Sequence, residues 1–395
     1  MKIALIPSAD LSYNSGSIIY AKNLYKYLID NHHEVFMLGS KMPNDLSDTY
    51  IKNITISNNL LEHPIIDDRN ITNQEYLDMF NSIVSFLLKV DKECHGLDII
   101  HAHYASINSY AALFASKLIN VPVIVSSFGR DINIGFNRDC RIKKMIISSF
   151  NEAQGIIAAD KNIKDYININ IVKKESNIKV IGMPLDITIF KAGDKIVKNP
   201  KKIIISTINS CFSEEKGIEK IINAFYEINK KYPDTVLYIA GTDDHPKKIH
   251  EKRIKKLIEN KKIQDKVIFT GYLNRENVGS LLKNTDIYID ARENSNFSSV
   301  LLEAISIGTP IIASRNMGSL KVIIHDYNGL LFNQYSHEEL LKCIDDLITH
   351  KNKRKRLSEN GKKWLKNEGN KYLPEYCFNE VMKFYKSVQE EYNYD

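Results

Sequence analysis

A single carboxylate, Glu303, stands in the run SVLLEAISI, where Val300, Leu301, Leu302, Ala304, Ile305 and Ile307 leave apolar side chains on nearly every helical face. An unpaired buried carboxylate is costly, so the position needs a reason. One reason is the positive end of a helix dipole, which favours an early-turn acid by about 0.3 to 1 kcal/mol. A capping box does not serve, because the position three residues earlier is Val300 rather than Ser or Thr. The other reason is a ligand, since vicinal ribose hydroxyls donate to acidic residues in nucleotide sites.

Other residues have types and spacings that suit the same chemistry. In SEEKGIEKIINAF, Ile218, Ile221, Ile222, Phe225 and Ile228 mark one helical face and put Lys216 and Gly217 at the helix entrance. A lysine there opposes the dipole unless an anion such as phosphate offsets it; otherwise it is a solvated surface charge. In DIIHAHY, His101 and His103 share a strand face, and His103 lies nearer the strand's carboxyl end, as a proton carrier or a structural hydrogen-bonding group. Gly129 and Asp131 fall in the loop after the next strand, where Asp131 either orients a hydroxyl or is a plain turn residue. Ser15, Gly16 and Ser17 precede the first helix, where backbone amides can approach a phosphate or an acceptor hydroxyl.

Several chemistries have no motif. The chain contains neither GxGxxG nor GxxxxGK[ST], which argues against a dinucleotide oxidoreductase and a P-loop NTPase. It has no DxD pair for a divalent metal, and neither a cofactor nor a metal is expected. Cys94, Cys140, Cys211, Cys343 and Cys377 form no CxxC pair and read as reduced thiols. The net charge of +6 over 395 residues is spread along the chain and does not point to nucleic acid.

The elements that must position these residues alternate strictly. KIALIP, EVFML, LDIIHAH, VPVIVSS, GIIAA and IKVIG are β-branched runs separated by amphipathic stretches, including a helix from about Tyr110 to Leu118 and a basic one near Arg141 to Phe150. A second series, IIIST, TVLYIAG, KVIFTG, DIYIDA and PIIAS, follows the lysine-rich stretch 191–202, which reads as a hinge. Such alternation predicts two α/β domains with parallel sheets, their strand ends facing across a cleft. The last helix should open at Pro374. No stretch has the apolar length of a membrane span, and the short N-terminal run suits a first strand better than a signal peptide, so a cytoplasmic location is expected. Arg138, Arg141, Lys143 and Lys144 beside Met145, Ile146, Ile147 and Phe150 would suit either an anionic bilayer or a helix packed on its own sheet.

Taken together, the segments DIIHAHY, IGMPLDITIF, EEKGIEKIINAF, VIFTGYLNRENVGSLLKNTDIYI, VLLEAISIGTPIIAS and YNGLLF resemble, in order and spacing, the retaining GT-B-fold glycosyltransferases of family 4, the type that includes glycogen synthase and phosphatidylinositol mannosyltransferase. The resemblance implies an acceptor-side Rossmann-like domain over 1–192, a nucleotide-sugar domain over 193–370, and a helix over 371–395 that packs back on the first. It implies that Glu303 matches the second glutamate of E-x7-E and binds the ribose, and that Lys216 neutralises the donor diphosphate. Gly16 falls in the glycine loop, Asp131 ends the T-x-H-G-x-D segment, and Phe297 is the aromatic of E-G-F-G, with Ser295, Asn296, Ser298 and Ser299 around it. The chain departs from the pattern at Ser295, where the first glutamate would stand with Glu293 two residues earlier. It departs again at Phe128 in place of histidine, at Cys211 in place of arginine, and at Lys321 in place of glutamate. Lys321 could supply the charge that the arginine would have supplied.

The resemblance thus implies transfer of a sugar from a nucleotide-diphosphate sugar, commonly a UDP-sugar, to a hydroxyl of a glycan, lipid-linked or small-molecule acceptor. Lys216, His103 and Asp131 would carry the chemistry without a metal. The alternative is a subunit that keeps the fold and the nucleotide pocket without transferase activity, to which Phe128 and Ser295 would be suited.

Overall fold

A computed structural model of the chain describes residues 1–7, 11, 16–41, 50, 53–58, 71–137, 140–172, 177–185, 201–243, 247–295 and 298–394. Its contacts group into two units, Met1–Pro184 with Lys371–Asp395, and Leu185–Asn370. Of the polar stretch 191–202 read as a hinge, all but Lys201 and Lys202 lies outside the described residues.

The first unit is built on seven parallel strands: β1 (Lys2–Ile6), β2 (Glu34–Gly39), β3 (Ile54–Ile56), β4 (Ile99–His103), β5 (Val123–Ser127), β6 (Gly155–Ala158) and β7 (Ile178–Val180), in the order β3-β2-β1-β4-β5-β6-β7. Every residue of β4 and β5 is buried, as strands covered on both faces require. Alternate residues feed two cores. Ile6, Ile100, Val125 and Ile156 pack under the helices Asn73–Glu93, Ile107–Ile119, Cys140–Glu152 and Lys161–Asn170. Ile3, Leu5, Ile99 and Ile124 pack under Gly16–Asp30 and the last helix, Pro374–Tyr394. The helix expected from Tyr110 begins at Ile107, because Ser106 and Ser109 close a reciprocal cap ahead of it.

The last helix is fitted closely to the first sheet. A Cβ added to Gly155 would lie 2.9 Å from both Phe384 and Val388, so the helix approaches β6 where there is no side chain. Polar groups then fix its register. His101, fully buried on β4, has its Nδ1 2.5 Å from the Tyr385 hydroxyl and its Nε2 2.6 Å from Ser126 Oγ. Burial, with His103 beside it, pushes the His101 imidazole well below its ordinary range, so it is a neutral link between strand and helix.

The second unit has six parallel strands: β8 (Ile203–Cys211), β9 (Thr235–Thr242), β10 (Val267–Gly271), β11 (Ile287–Asp290), β12 (Ile311–Ser314) and β13 (Leu330–Phe332), in the order β10-β9-β8-β11-β12-β13. The helix Ile218–Lys231 buries Ile218, Ile221, Ile222, Phe225 and Ile228, the face its spacing predicts. The strand order reverses between β1 and β4 in one sheet and between β8 and β11 in the other. Ligands of open α/β sheets bind beyond the carboxyl ends of strands at such points. In the second sheet, Gly217 marks the place. Its φ is +67°, and a Cβ there would fall 2.2 Å from the Ala291 carbonyl oxygen, so only glycine lets the turn after β8 close against the end of β11.

Replacing Tyr385 with Phe keeps the ring and leaves the His101 Nδ1 buried without its partner. The expected outcome is a loss of about 1–3 kcal/mol, read in a denaturant titration as a lower midpoint at unchanged slope.

Candidate active site

Glu303 lies in the helix Ser299–Ile307 and is fully buried. The N-cap is Ser298, five residues before it, so Glu303 takes no part in capping. What offsets its charge is Arg275, at the start of the helix Arg275–Asn284, whose guanidinium donates from Nη2 to Glu303 Oε1. The partner is 28 residues away in sequence and belongs to no pattern that reading the chain would pair with it.

A second ion pair closes the end of β11. Asp290, 4% exposed, lies 3.3 Å from Arg292 Nε and accepts from Ser298 Oγ at 3.0 Å. Ser298 therefore spends its hydroxyl on Asp290 and makes no side-chain cap to its own helix. Burial works against the Arg292 charge, yet Asp290, Tyr288 and Glu303 together hold the guanidinium above its ordinary range. Burial, followed by the Asp290 carboxylate, pushes the Tyr288 phenol well above its own. Asp290, Arg292 and Arg275 were not among the residues singled out from sequence. The signal for Asp290 was its place at the end of an apolar run, where a strand meets the ligand edge.

Lys216 ends the short turn Glu214–Lys216, is 19% exposed, and lies 2.9 Å from Glu215 Oε1. The turn is tied to the loop after β11, since the Glu293 amide donates to the Glu215 carbonyl at 2.9 Å and Lys220 reaches Glu293 Oε1 at 2.8 Å. That loop is tied in turn to the one after β12, where the Gly318 amide donates to the Ser295 carbonyl at 2.6 Å. Lys321, half-buried, follows three residues later in the turn Ser319–Lys321. Hydrogen bonds thus tie the loops that carry Lys216, Ser295 and Lys321 to one another, and Ser298 ties the start of the helix that carries Ser299 and Glu303 to the end of β11. Asn296 and Phe297 lie outside the described residues.

In the first unit, Asp131 is fully buried beyond the end of β5. It accepts from Ser127 Oγ at 2.8 Å and from the amides of Ala105 and Ile132 at 3.2 Å. Burial outweighs these donors and pushes the carboxyl up to about 6. His103 is also fully buried, and neither ring nitrogen has a hydrogen-bond partner among the described residues. Burial pushes its imidazole down to about 3, so the ring is neutral. It meets His101, Tyr20 and Phe128 edge-on, at centroid distances of 4.7, 5.4 and 5.7 Å.

Phe128, at the position read as a replaced histidine, packs edge-on against Tyr20, His103 and Tyr104. Tyr104 was missed in sequence. Its φ of +68° is strained for a bulky residue, and it sits just beyond β4 at the first sheet's reversal point. Burial pushes its phenol up to about 12, although a hydrogen bond with Ser17 acts the other way. Gly16 opens the helix that carries Ser17, and Ser15 lies outside the described residues. Among the described residues, no three His, Cys, Asp or Glu side chains converge as metal ligands.

Comparison with known proteins gives the arrangement a family. Residues 15–188 match the description "Glycosyltransferase Family 4", and residues 190–364 match "Glycosyl transferases group 1". An uncharacterised glycosyltransferase of Methanocaldococcus jannaschii is 24% identical over 99% of each chain. The N-acetyl-alpha-D-glucosaminyl L-malate synthase of Bacillus anthracis is 25% identical over 80% of each. Among solved structures, HepE of Anabaena in complex with UDP-glucose superposes with a TM-score of 0.72 at 16% identity, covering 98% of this chain and 100% of its own. With two parallel-sheet units, a last helix returning to the first, and both family descriptions matched in order from residue 15 to residue 364, the chain belongs to the group 1, family 4 glycosyltransferases and has the GT-B fold.

Proposed function

We propose that this glycosyltransferase moves a sugar from a UDP-sugar to an acceptor hydroxyl with retention of configuration and without a metal. The observation that carries the reading is Glu303, buried and paired with Arg275, in the helix that follows β11 at the reversal point of the second sheet. A carboxylate steadied on one oxygen is suited to accept from the two hydroxyls of a ribose. The bound UDP-glucose of HepE supports the choice of donor.

In the proposed reaction, the bond from the anomeric carbon to the diphosphate oxygen breaks on the face where the acceptor oxygen bonds. The acceptor's proton passes to the departing phosphate, which takes the electron pair. The work left to the protein is to stabilise that phosphate and to place the acceptor. Lys216, Lys321 and the first amides of the helix Ser299–Ile307 take the first role. Asp131 takes the second, with Gly16 and Ser17 at the start of the first helix and Ser15 before it; His103, neutral at working pH, serves as a hydrogen-bonding group rather than an ion. The acceptor is a glycan, a lipid-linked glycan or a small hydroxylated molecule.

Calorimetric titration with UDP, GDP and ADP should show UDP binding tightest, and Glu303→Ala should weaken it on the order of 100-fold, about two charge-assisted hydrogen bonds; tighter binding of another nucleotide, or none of any, overturns the reading. Lys216→Ala should lower kcat on the order of 100-fold, with a smaller loss for Lys321→Ala, while a chelator leaves wild-type turnover unchanged. If Asp131 acts ionised, kcat/KM should rise with pH through about 6 and level off above it, and Asp131→Asn should abolish that rise.

A further inference from the structure

Arg292 stands two residues beyond the end of β11, at the switch point of the second sheet, and its ion pair with Asp290 does not account for it. The side chain is 15% exposed and carries five N–H donors in a rigid fork. Its Nε lies 3.3 Å from Asp290 Oδ1 but is poorly aligned with it, so this buried atom has no hydrogen-bond partner among the described residues. Asp290 is meanwhile shared, for it also accepts from Ser298 Oγ at 3.0 Å and from the Arg292 amide at 3.3 Å. Of the other groups facing the guanidinium, Tyr288 is a neutral phenol and Glu303 is already held by Arg275. A buried guanidinium donor without an acceptor is costly, and the oxygens that match its fork best belong to a carboxylate or a phosphate.

The backbone around Arg292 is fixed from two sides. Its carbonyl accepts from Ser314 Oγ at the end of β12 and, at 3.0 Å, from Asn316 Nδ2 in the loop that follows. Gly217 closes on the Ala291 carbonyl, and the Glu293 amide donates to the Glu215 carbonyl at 2.9 Å, so the turn that carries Lys216 is joined to the residues on each side of Arg292. Because β11 pairs with β8, Lys216 and Arg292 lie at the same end of two neighbouring strands. β8 itself ends at Cys211, where the resemblance puts an arginine.

Other charges nearby have prior partners. Lys220 is divided between Glu293 Oε1 at 2.8 Å and the Gln334 carbonyl at 2.9 Å. Asp290, 4% exposed, is too deep to meet a ligand, and its part is to orient. It holds the Arg292 side chain and takes the Ser298 hydroxyl, which leaves the helix Ser299–Ile307 without a side-chain cap on its first amides. Uncapped amides at a helix start, beside a guanidinium that shares one carboxylate with the N-cap residue, are donors suited to one anion.

We propose that Arg292 binds the diphosphate of the nucleotide-sugar donor, supplying from the end of β11 the guanidinium that the turn after β8 lacks. The inference rests on the donor reading above and adds a residue to it. Held in place before the reaction, the fork stabilises the charge that gathers on the departing phosphate without having to reorganise.

Calorimetry with UDP and with uridine separates phosphate contacts from the rest of the pocket. Arg292→Gln should weaken UDP on the order of 10- to 100-fold, the worth of charge-assisted hydrogen bonds, and leave uridine unchanged, since Arg275 still holds Glu303. Glu303→Ala, by contrast, should weaken both ligands. Because Arg292→Gln strands the Asp290 charge, Asp290→Asn with Arg292→Gln is the second variant, expected to show the same split with the wild-type circular dichroism spectrum. Arg292→Lys keeps the charge without the fork and should recover part of the loss. Equal losses for UDP and uridine in both Gln variants make the ion pair structural and overturn the inference, as does a UDP affinity that neither variant changes. Wild-type protein that binds no nucleotide removes the donor reading and the inference with it, whereas UDP binding that depends on Glu303 and ignores Arg292 sinks the inference alone.

Discussion

A fully buried carboxylate in an apolar helix is tolerable only in company, and Arg275 keeps Glu303 that company. Removing one member of such a pair leaves a bare charge in the interior, at a cost of about 3–5 kcal/mol. The pair therefore commits the chain to a geometry. The helices beginning at Arg275 and Ser299 must keep their spacing, and β11 must end where Asp290 can hold Arg292 and Ser298. Gly217, pressed on Ala291, brings the turn with Lys216 to the same place. A similar hydrophobic cluster would be as stable, so stability alone does not account for the charges.

The first unit solves a different problem. Its polar groups at the strand ends are buried and less charged: burial holds the His101 and His103 imidazoles neutral, and pushes the Asp131 carboxyl up to about 6. Rings surround His103, with Phe128 touching it as well as Tyr20 and Tyr104. One unit thus concentrates ion pairs at its strand ends, and the other concentrates aromatic rings and a buried carboxyl.

Much of the architecture was legible because parallel strands buried on both faces leave continuous runs such as IIHAH and VIVSS, and because Ile218, Ile221, Ile222, Phe225 and Ile228 keep helical spacing. Glu303 was legible as a violation of its surroundings. Its partner was not, since an ion pair across 28 residues leaves no local trace. Tyr104 was hidden for another reason. A positive φ in a tyrosine is imposed by the fold around it, and nothing in the residue type announces it. The basic helix was legible as amphipathic but not as to what its apolar side meets; Ile146 and Phe150 pack in the core of the first unit.

The first unit is discontinuous, its sheet formed by residues up to Val180 and part of its cover supplied by Pro374–Tyr394. During translation, Ile3, Leu5 and Ile124 must wait for Phe378, Val381 and Tyr385 to leave the ribosome. Domains usually fold in the order in which they are made. Here the second unit, continuous in the chain, holds all its residues before the first has its last helix, so a chain cut before residue 374 would keep the whole C-terminal unit and leave one face of the N-terminal sheet uncovered.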